Sequence, residues 1–297
     1  MENLYTHQSA NKRKTFLLFT IFLIVVIGIG FFLSQYYGNS IILYIAVAFS
    51  VIMNIVAYWN SDKIVLKMTK AQPADEKEYN ELHNIVENLA ITAGLPKPKV
   101  YIVKEYQPNA FATGRNYEKA VVAVTTGLLD KLDRSELEGV LAHELAHIGN
   151  KDMLVSTAAV ILAGFLSILA DLFLRSMLFG GLRNNNRGGV MMIVGLVAIV
   201  LAPIGGLLIQ MAVSRQREYL ADSTGALLTR YPEGLASALE KISKDPNEMK
   251  VAKTSTAHLW ISSPFKNKKG IGSRLENLFQ THPPVEERIK RLRSLNI

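Results

Sequence analysis

Two uncharged apolar runs, parted by a short neutral loop, constrain this chain more than any other feature. Thr15 to Leu33 is about nineteen residues without a charge. At 1.5 Å rise per residue, that length crosses a hydrocarbon core of roughly 30 Å. Ile41 to Trp59 repeats the pattern, and Tyr36, Tyr37, Tyr58 and Trp59 stand at the ends, where interfacial aromatics sit. Lys12, Arg13 and Lys14 precede the first run, as in a signal peptide. The run is long for that role, however, and no small-residue cleavage site follows. The pair reads as a helical hairpin that stays in the membrane.

Two further apolar runs lie later, Met153 to about Ala170 and Val190 to Val213. The last contains Pro203, Gly205 and Gly206, which spanning helices tolerate better than soluble ones. Four crossings place Lys12, Arg13, Lys14, Lys63, Lys67, Lys70, Lys151, Arg215 and Arg217 on one face, which is then cytoplasmic. Arg175, Arg183 and Arg187 fall on the other face. They leave two arrangements open for the later runs, a full crossing or a hairpin that does not fully cross. The expected organisation is a membrane hairpin over 1–60, a cytoplasmic part over 61–152, a second membrane hairpin over 153–213 and a second cytoplasmic part over 214–297.

The net charge of +8 raises the question of a nucleic-acid partner. The basic residues are scattered or flank apolar runs, so none is expected. Cysteine is absent, which excludes disulfides, thiol nucleophiles and Cys-ligated zinc. Any metal site must use His, Asp or Glu.

The polar stretches read as mostly α with a small β-sheet. Asp75 to Ala93 has helical apolar spacing and ends at Gly94 and Pro96. Lys99 to Val103, Asn109 to Gly114 and Ala120 to Thr125 read as short strands. Ser135 to Ile148 reads as a helix, with Ser135 and Glu138 as its capping box. Further helices are expected over Arg215 to Thr229, Pro232 to Ser243 and Pro284 to Leu295, with a loop over Lys253 to Gly272.

Within the capped helix stands His143-Glu-Leu-Ala-His147. Residues four apart share a helix face, so both imidazoles can reach one ion. Glu144 projects beside them, where a carboxylate can take a proton from water. A catalytic zinc needs three protein ligands and an open position. Glu218 is the candidate third ligand. Asp222, four residues on, is placed to hold the free nitrogen of His143 or His147. Asp152 is either a further support for a ligating histidine or a helix-end charge, and it is read as the latter. Two apolar runs separate His147 from Glu218, so the chain returns to its starting side and the ligands can meet near the membrane surface.

At this point the chain resembles the HtpX-like membrane zinc metalloproteases. The residues that carry the resemblance are His143-Glu-Leu-Ala-His147, Ser214-Arg-Gln-Arg-Glu-Tyr-Leu-Ala-Asp222, Asn109-Ala-Phe-Ala and Thr281-His-Pro-Pro, with the paired apolar runs in the same order. The resemblance implies an integral membrane protein of about four spans with a zincin-type (gluzincin) protease domain. It implies one zinc ion per chain, held by His143, His147 and Glu218, with Glu144 as general base. It also implies residence in the bacterial inner membrane, an active site facing the cytoplasm, and damaged membrane proteins as substrates. Under it, Asn109, Ala110, Phe111 and Ala112 form the edge strand that receives an extended substrate; without it they form an ordinary hairpin strand. His282 is either a donor to the developing oxyanion or a turn residue before two prolines. The rival functions are a non-catalytic zinc-containing membrane scaffold, a metal transporter and a prenyl-protein-type metalloprotease. Structural sites usually close with four protein ligands, and spans one, two and four lack mid-membrane ionisable groups, as a transport path would need. Oligomeric state is left open.

Overall fold

The computed structural model describes residues 4–180, 197, 201, 203–210, 214–252, 254–265 and 283–297. Its first elements are the expected hairpin, α1 (Leu4–Tyr37) and α2 (Ile41–Trp59), turning at Gly38 with φ of 61°. Side chains such as Phe16, Ile24, Phe31, Ile45 and Ile52 are more than half exposed or close to it. Such a display of apolar surface fits lipid as the solvent. A short helix, α3 (Ser61–Met68), follows directly. It was not singled out in the sequence because eight residues with three charges are too short a stretch for a reliable periodic signal.

A four-stranded mixed sheet comes next, in the order β1-β2-β4-β3, from β1 (Gln72–Pro73), β2 (Lys99–Val103), β3 (Ala110–Thr113) and β4 (Val121–Thr125). β2 and β4 are parallel, while β1–β2 and β3–β4 are antiparallel. β3 is therefore an edge strand. Helix α4 (Asn80–Thr92) lies between β1 and β2. It begins five residues later than its apolar pattern suggests, because Asp75 Oδ1 accepts from the Lys77 and Glu78 amides and folds that stretch into turns. A short α5 (Thr126–Lys131) leads to α6 (Arg134–Gly149).

The start of α6 corrects the expected capping box. Asp133, not Ser135, is the N-cap; it accepts from the Glu136 amide, and Glu136 reaches back to the Asp133 amide. Ser135 Oγ donates to Asp133 instead. A carboxylate at the positive end of the helix dipole is the stronger acceptor. Two capping patterns overlapped here, and the charged one prevails. Apolar side chains of α6 are buried on nearly every face, among them Leu137, Val140, Leu141, Leu145 and Ile148. Gly139 lets the next layer approach closely, since a Cβ there would stand 2.5 Å from the Leu235 amide nitrogen.

α7 (Asp152–Gly180) leaves the core as a candidate span over Asp152–Asp171. It packs on α1 and α2, and Leu18, Phe22, Ala57, Val155, Leu162 and Leu166 form their shared core. Val197, Leu201 and Leu208 of the fourth apolar run join this core at helical spacing. Three helices among the described residues are long and apolar enough to cross a membrane. Most of residues 181–213 lies outside the described residues, so the fourth expected span is not one of these three. The chain re-enters the polar layer in α8 (Arg215–Thr229), α9 (Pro232–Ser243) and α10 (Val285–Arg293). One hydrophobic core joins residues from both sides of the membrane segment, including Leu82, Val122, Leu141, Ala226, Leu239 and Leu292.

Candidate metal and catalytic centre

His143 and Glu144 are buried in the second half of α6, and His147 stands half-buried in its last turn. Gly225 of α8 makes the close crossing possible: a Cβ there would stand 2.9 Å from the His143 amide nitrogen. This proximity brings Glu218 to the two histidines. The His143 and His147 Nε2 atoms are 3.2 Å apart. Glu218 Oε1 is 3.5 Å from His147 Nε2, and its Oε2 is 3.9 Å from His143 Nε2. One ligand atom from each of the three residues lies within 4.8 Å of the others. Two ring nitrogens that face each other at such range need a cation or a proton between them.

The other ring nitrogens each stand beside a carboxylate; His147 Nδ1 is hydrogen-bonded to its partner, whereas His143 Nδ1 is close to its own without hydrogen-bond alignment. His143 Nδ1 stands 3.0 Å from Asp222 Oδ1, and His147 Nδ1 stands 3.1 Å from Asp152 Oδ2. An Nδ1–H directed at a carboxylate leaves the Nε2 lone pair for a metal, which is the usual supporting arrangement for a ligating histidine. Of the two histidines, Asp222 lies beside His143. Asp152 corrects the reading of a helix-end charge: it orients His147. Nothing local marked it, because its partner is set by the turn at Lys151 (φ 58°) between α6 and α7.

A further set of residues was not singled out from sequence. Arg288 is fully buried, and its Nε and Nη2 donate to Asp222 at 2.9 and 2.7 Å. Its Nη1 donates to the Ile261 carbonyl at 3.2 Å and lies 4.0 Å from Glu218 Oε2. The available signal was its spacing. Val285, Arg288, Ile289 and Leu292 share one helix face, so the arginine interrupts an apolar stripe. Asn11 of α1 donates to Asp152 Oδ1 at 2.6 Å and accepts from Arg217 Nη1 at 3.1 Å. No sequence pattern points to Asn11.

Charge explains what this cluster can hold. Glu144, Asp152, Glu218 and Asp222 face only two buried guanidinium groups, Arg217 and Arg288. This excess of carboxylates favours a cation at the histidines, either a metal ion or the proton that His147 otherwise takes up. Burial alone would lower the pKa of His147, but Asp152, Glu218 and Glu144 together raise it to about 9. Burial brings His143 down to about 4, against the pull of Asp222. Burial pushes Glu144 up to about 7; the Glu218 charge adds to this, while His147, Arg288 and the Ala112 amide oppose it. For Asp222, burial works upward, but Arg288 and His143 outweigh it and hold the carboxyl at about 2. A donor set of two imidazoles and a carboxylate suits zinc chemistry, with Glu144 beside it.

The site borders a cavity of about 40 Å³ that Ala112, Glu144, His258, Leu259 and Ile261 help to line. This is room for a few waters. β3 runs along it. The outward edge of β3 is engaged at Ala110, whose carbonyl accepts from Ile261, and at Asn109, whose side chain donates to the Ser262 carbonyl. Phe111 packs edge-on against Trp260, and Ala112 borders the cavity. Of these four residues, Ala112 lines the cavity together with His143, Glu144 and His147. His282 falls outside the described residues.

Residues 76–296 match the model of peptidase family M48. A protein named Protease HtpX homolog from Caldanaerobacter subterraneus is 49% identical over 302 residues, covering 99% of this chain and 98% of that one. Its namesake from Thermoanaerobacter pseudethanolicus is 48% identical over 304 residues, covering 100% and 99%. That from Dictyoglomus thermophilum is 45% identical over 295 residues, covering 98% and 94%. A crystal structure of S. mikatae Ste24p aligns at a TM-score of 0.48 and 19% identity, over 93% of this chain and 62% of that one.

Proposed function

Since the chain belongs to peptidase family M48 and is a membrane metalloprotease, we propose that it is a zinc-dependent endopeptidase of the bacterial inner membrane, with its active site facing the cytoplasm and damaged or misfolded membrane proteins as substrates. His143, His147 and Glu218 would hold one zinc ion per chain. The single observation that carries this reading is the convergence of the two Nε2 atoms and the Glu218 carboxylate beside Glu144. Bound zinc supplies Lewis acidity, lowering the pKa of water and polarising a carbonyl.

The chain's own residues supply the rest. Asp222 and Asp152 hold the two imidazoles in the tautomer that presents Nε2. Glu144 takes the proton from the attacking water and hands it to the leaving amine. Burial tunes it for that exchange, because a base near neutral pH both accepts and returns a proton readily. The edge of β3 at Ala112 is the proposed seat of an extended substrate, paired as an added strand. At Ala110 a substrate would take the place of Ile261. The fourth apolar run completes a proposed set of four spans, which returns Glu218 to the face of the membrane that holds His147.

The test is cleavage of an unfolded protein by detergent-purified enzyme, with and without a zinc chelator, for the parent and Glu144→Gln. We expect the variant to retain its metal and lose about 10²- to 10⁴-fold in rate, the usual worth of a positioned base. Undiminished cleavage by Glu144→Gln would remove the general base from the mechanism. Chelator-resistant cleavage would remove the metal.

A further inference from the structure

A second cavity, of about 700 Å³, lies where α1 begins, α2 ends and α7 starts. Its lower wall is apolar: Phe16, Phe19 and Ile55 line it, and Phe16 is 74% exposed. Its upper rim is basic, carrying Lys12, Arg115 and Lys151, and no acidic side chain lines it. Among the described residues none of these three cations has an ion-pair partner. Two of them are nevertheless held in place by aromatic faces. The Arg115 guanidinium lies 4.2 Å from the Trp59 ring and 5.9 Å from that of Tyr58. The Lys151 ammonium lies 5.1 Å from the Tyr117 ring. Lys151 also adopts a left-handed backbone (φ 58°), which costs energy in any residue but glycine.

The cationic rim lies at the end of a candidate span. Tyr58 and Trp59 end a candidate span, where interfacial aromatics belong. From Lys12 to Phe19 the helix descends about 10 Å, so the cleft leads from headgroup level into hydrocarbon. A cationic rim above an apolar floor complements an amphiphile with an anionic head. We propose that this cleft binds an anionic phospholipid of the bilayer, its phosphate among Lys12, Arg115 and Lys151 and an acyl chain along Phe16, Phe19 and Ile55. The occupant comes from the membrane, since the apolar floor is the larger part of the cleft and faces the span hairpin. Asn11 lines the same cleft and donates to Asp152, so the lipid site adjoins the candidate metal centre.

Tryptophan fluorescence tests this directly. The chain has two tryptophans. Trp59 is 58% exposed at the cleft, and Trp260 is fully buried in the protein core. The full-length protein is reconstituted in phosphatidylcholine bilayers that contain a minor fraction of brominated phosphatidylglycerol or, separately, brominated phosphatidylcholine. The expected result is stronger quenching by the anionic lipid. Each of Lys12→Gln, Arg115→Gln and Lys151→Gln should lower that preference about fivefold, from roughly 1 kcal/mol per cation near an anionic surface. Arg13→Gln, an exposed neighbour outside the cleft, should leave it unchanged. Glycerol 3-phosphate at millimolar concentration should not compete. Equal quenching by the two lipids overturns the proposal, as does a preference that survives the triple substitution or falls equally with Arg13→Gln. Displacement by the soluble phosphate would assign the rim to free anions and likewise overturn a lipid site.

Discussion

Replacing Arg288 by methionine tests whether the metal site depends on a residue that never touches the metal. The substitution keeps the aliphatic stem and removes the cation. In the parent, Arg288 is fully buried and donates twice to Asp222, at 2.9 and 2.7 Å. Asp222 in turn stands 3.0 Å from His143 Nδ1. Without the guanidinium, Asp222 keeps one neighbour for a charge placed out of water. Breaking a buried pair from one side costs about 3–5 kcal/mol. Part of this can be recovered if Asp222 takes up a proton, since Arg288 is the main force holding its carboxyl down at about 2. A protonated Asp222 no longer accepts in the same way from His143, so metal affinity should fall by about 10- to 100-fold. The assay is chelator competition at buffered free zinc, together with the denaturant midpoint in detergent. The double variant Arg288→Met with Asp222→Asn separates the causes. It removes the stranded charge, so it should be more stable than Arg288→Met alone by about 0.5–3 kcal/mol, while its metal affinity stays low. Strict additivity of the two substitutions, or parent-like zinc affinity in Arg288→Met, would refute the argument.

Asp152→Asn weakens the hold on His147 Nδ1 and should reduce zinc affinity about 10-fold or more; an unchanged chelator titration would show that Asp152 is only a helix-end charge. Gly225→Ala places a Cβ 2.9 Å from the His143 amide nitrogen, so α6 and α8 must separate at a cost of about 1–3 kcal/mol. Both the melting temperature and the zinc content should drop, and a parent-like variant would mean the two helices tolerate a wider crossing. Removing the metal with a chelator should abolish cleavage and lower stability by about 2.7 kcal/mol relative to zinc at 100 times its dissociation constant. Zinc should restore both, and a melting temperature indifferent to zinc would argue against a site built into the fold.

Features that depend on neighbours along the chain were legible in the sequence. Three candidate spans followed from uninterrupted apolar length. The His143–His147 register followed from the helix period. The strand identity of Ala110 to Thr113 followed from local composition and the turn beyond it. Glu218 and Asp222 were identifiable as candidates because they share a helix face four residues apart. The start of α6 was misread where Asp133 and Ser135 offered overlapping caps, and a choice between two local patterns is settled by acceptor strength. The supporting residues lay beyond local pattern altogether. Asn11 meets Asp152 across 141 positions, and Arg288 meets Asp222 across 66. A buried charge finds its partner through packing, and packing is not periodic in sequence. The chain alone therefore specified the candidate groups for binding and activation; only the tertiary structure decided which carboxylates and guanidiniums surround them, because burial makes those charges depend on whatever the fold sets beside them.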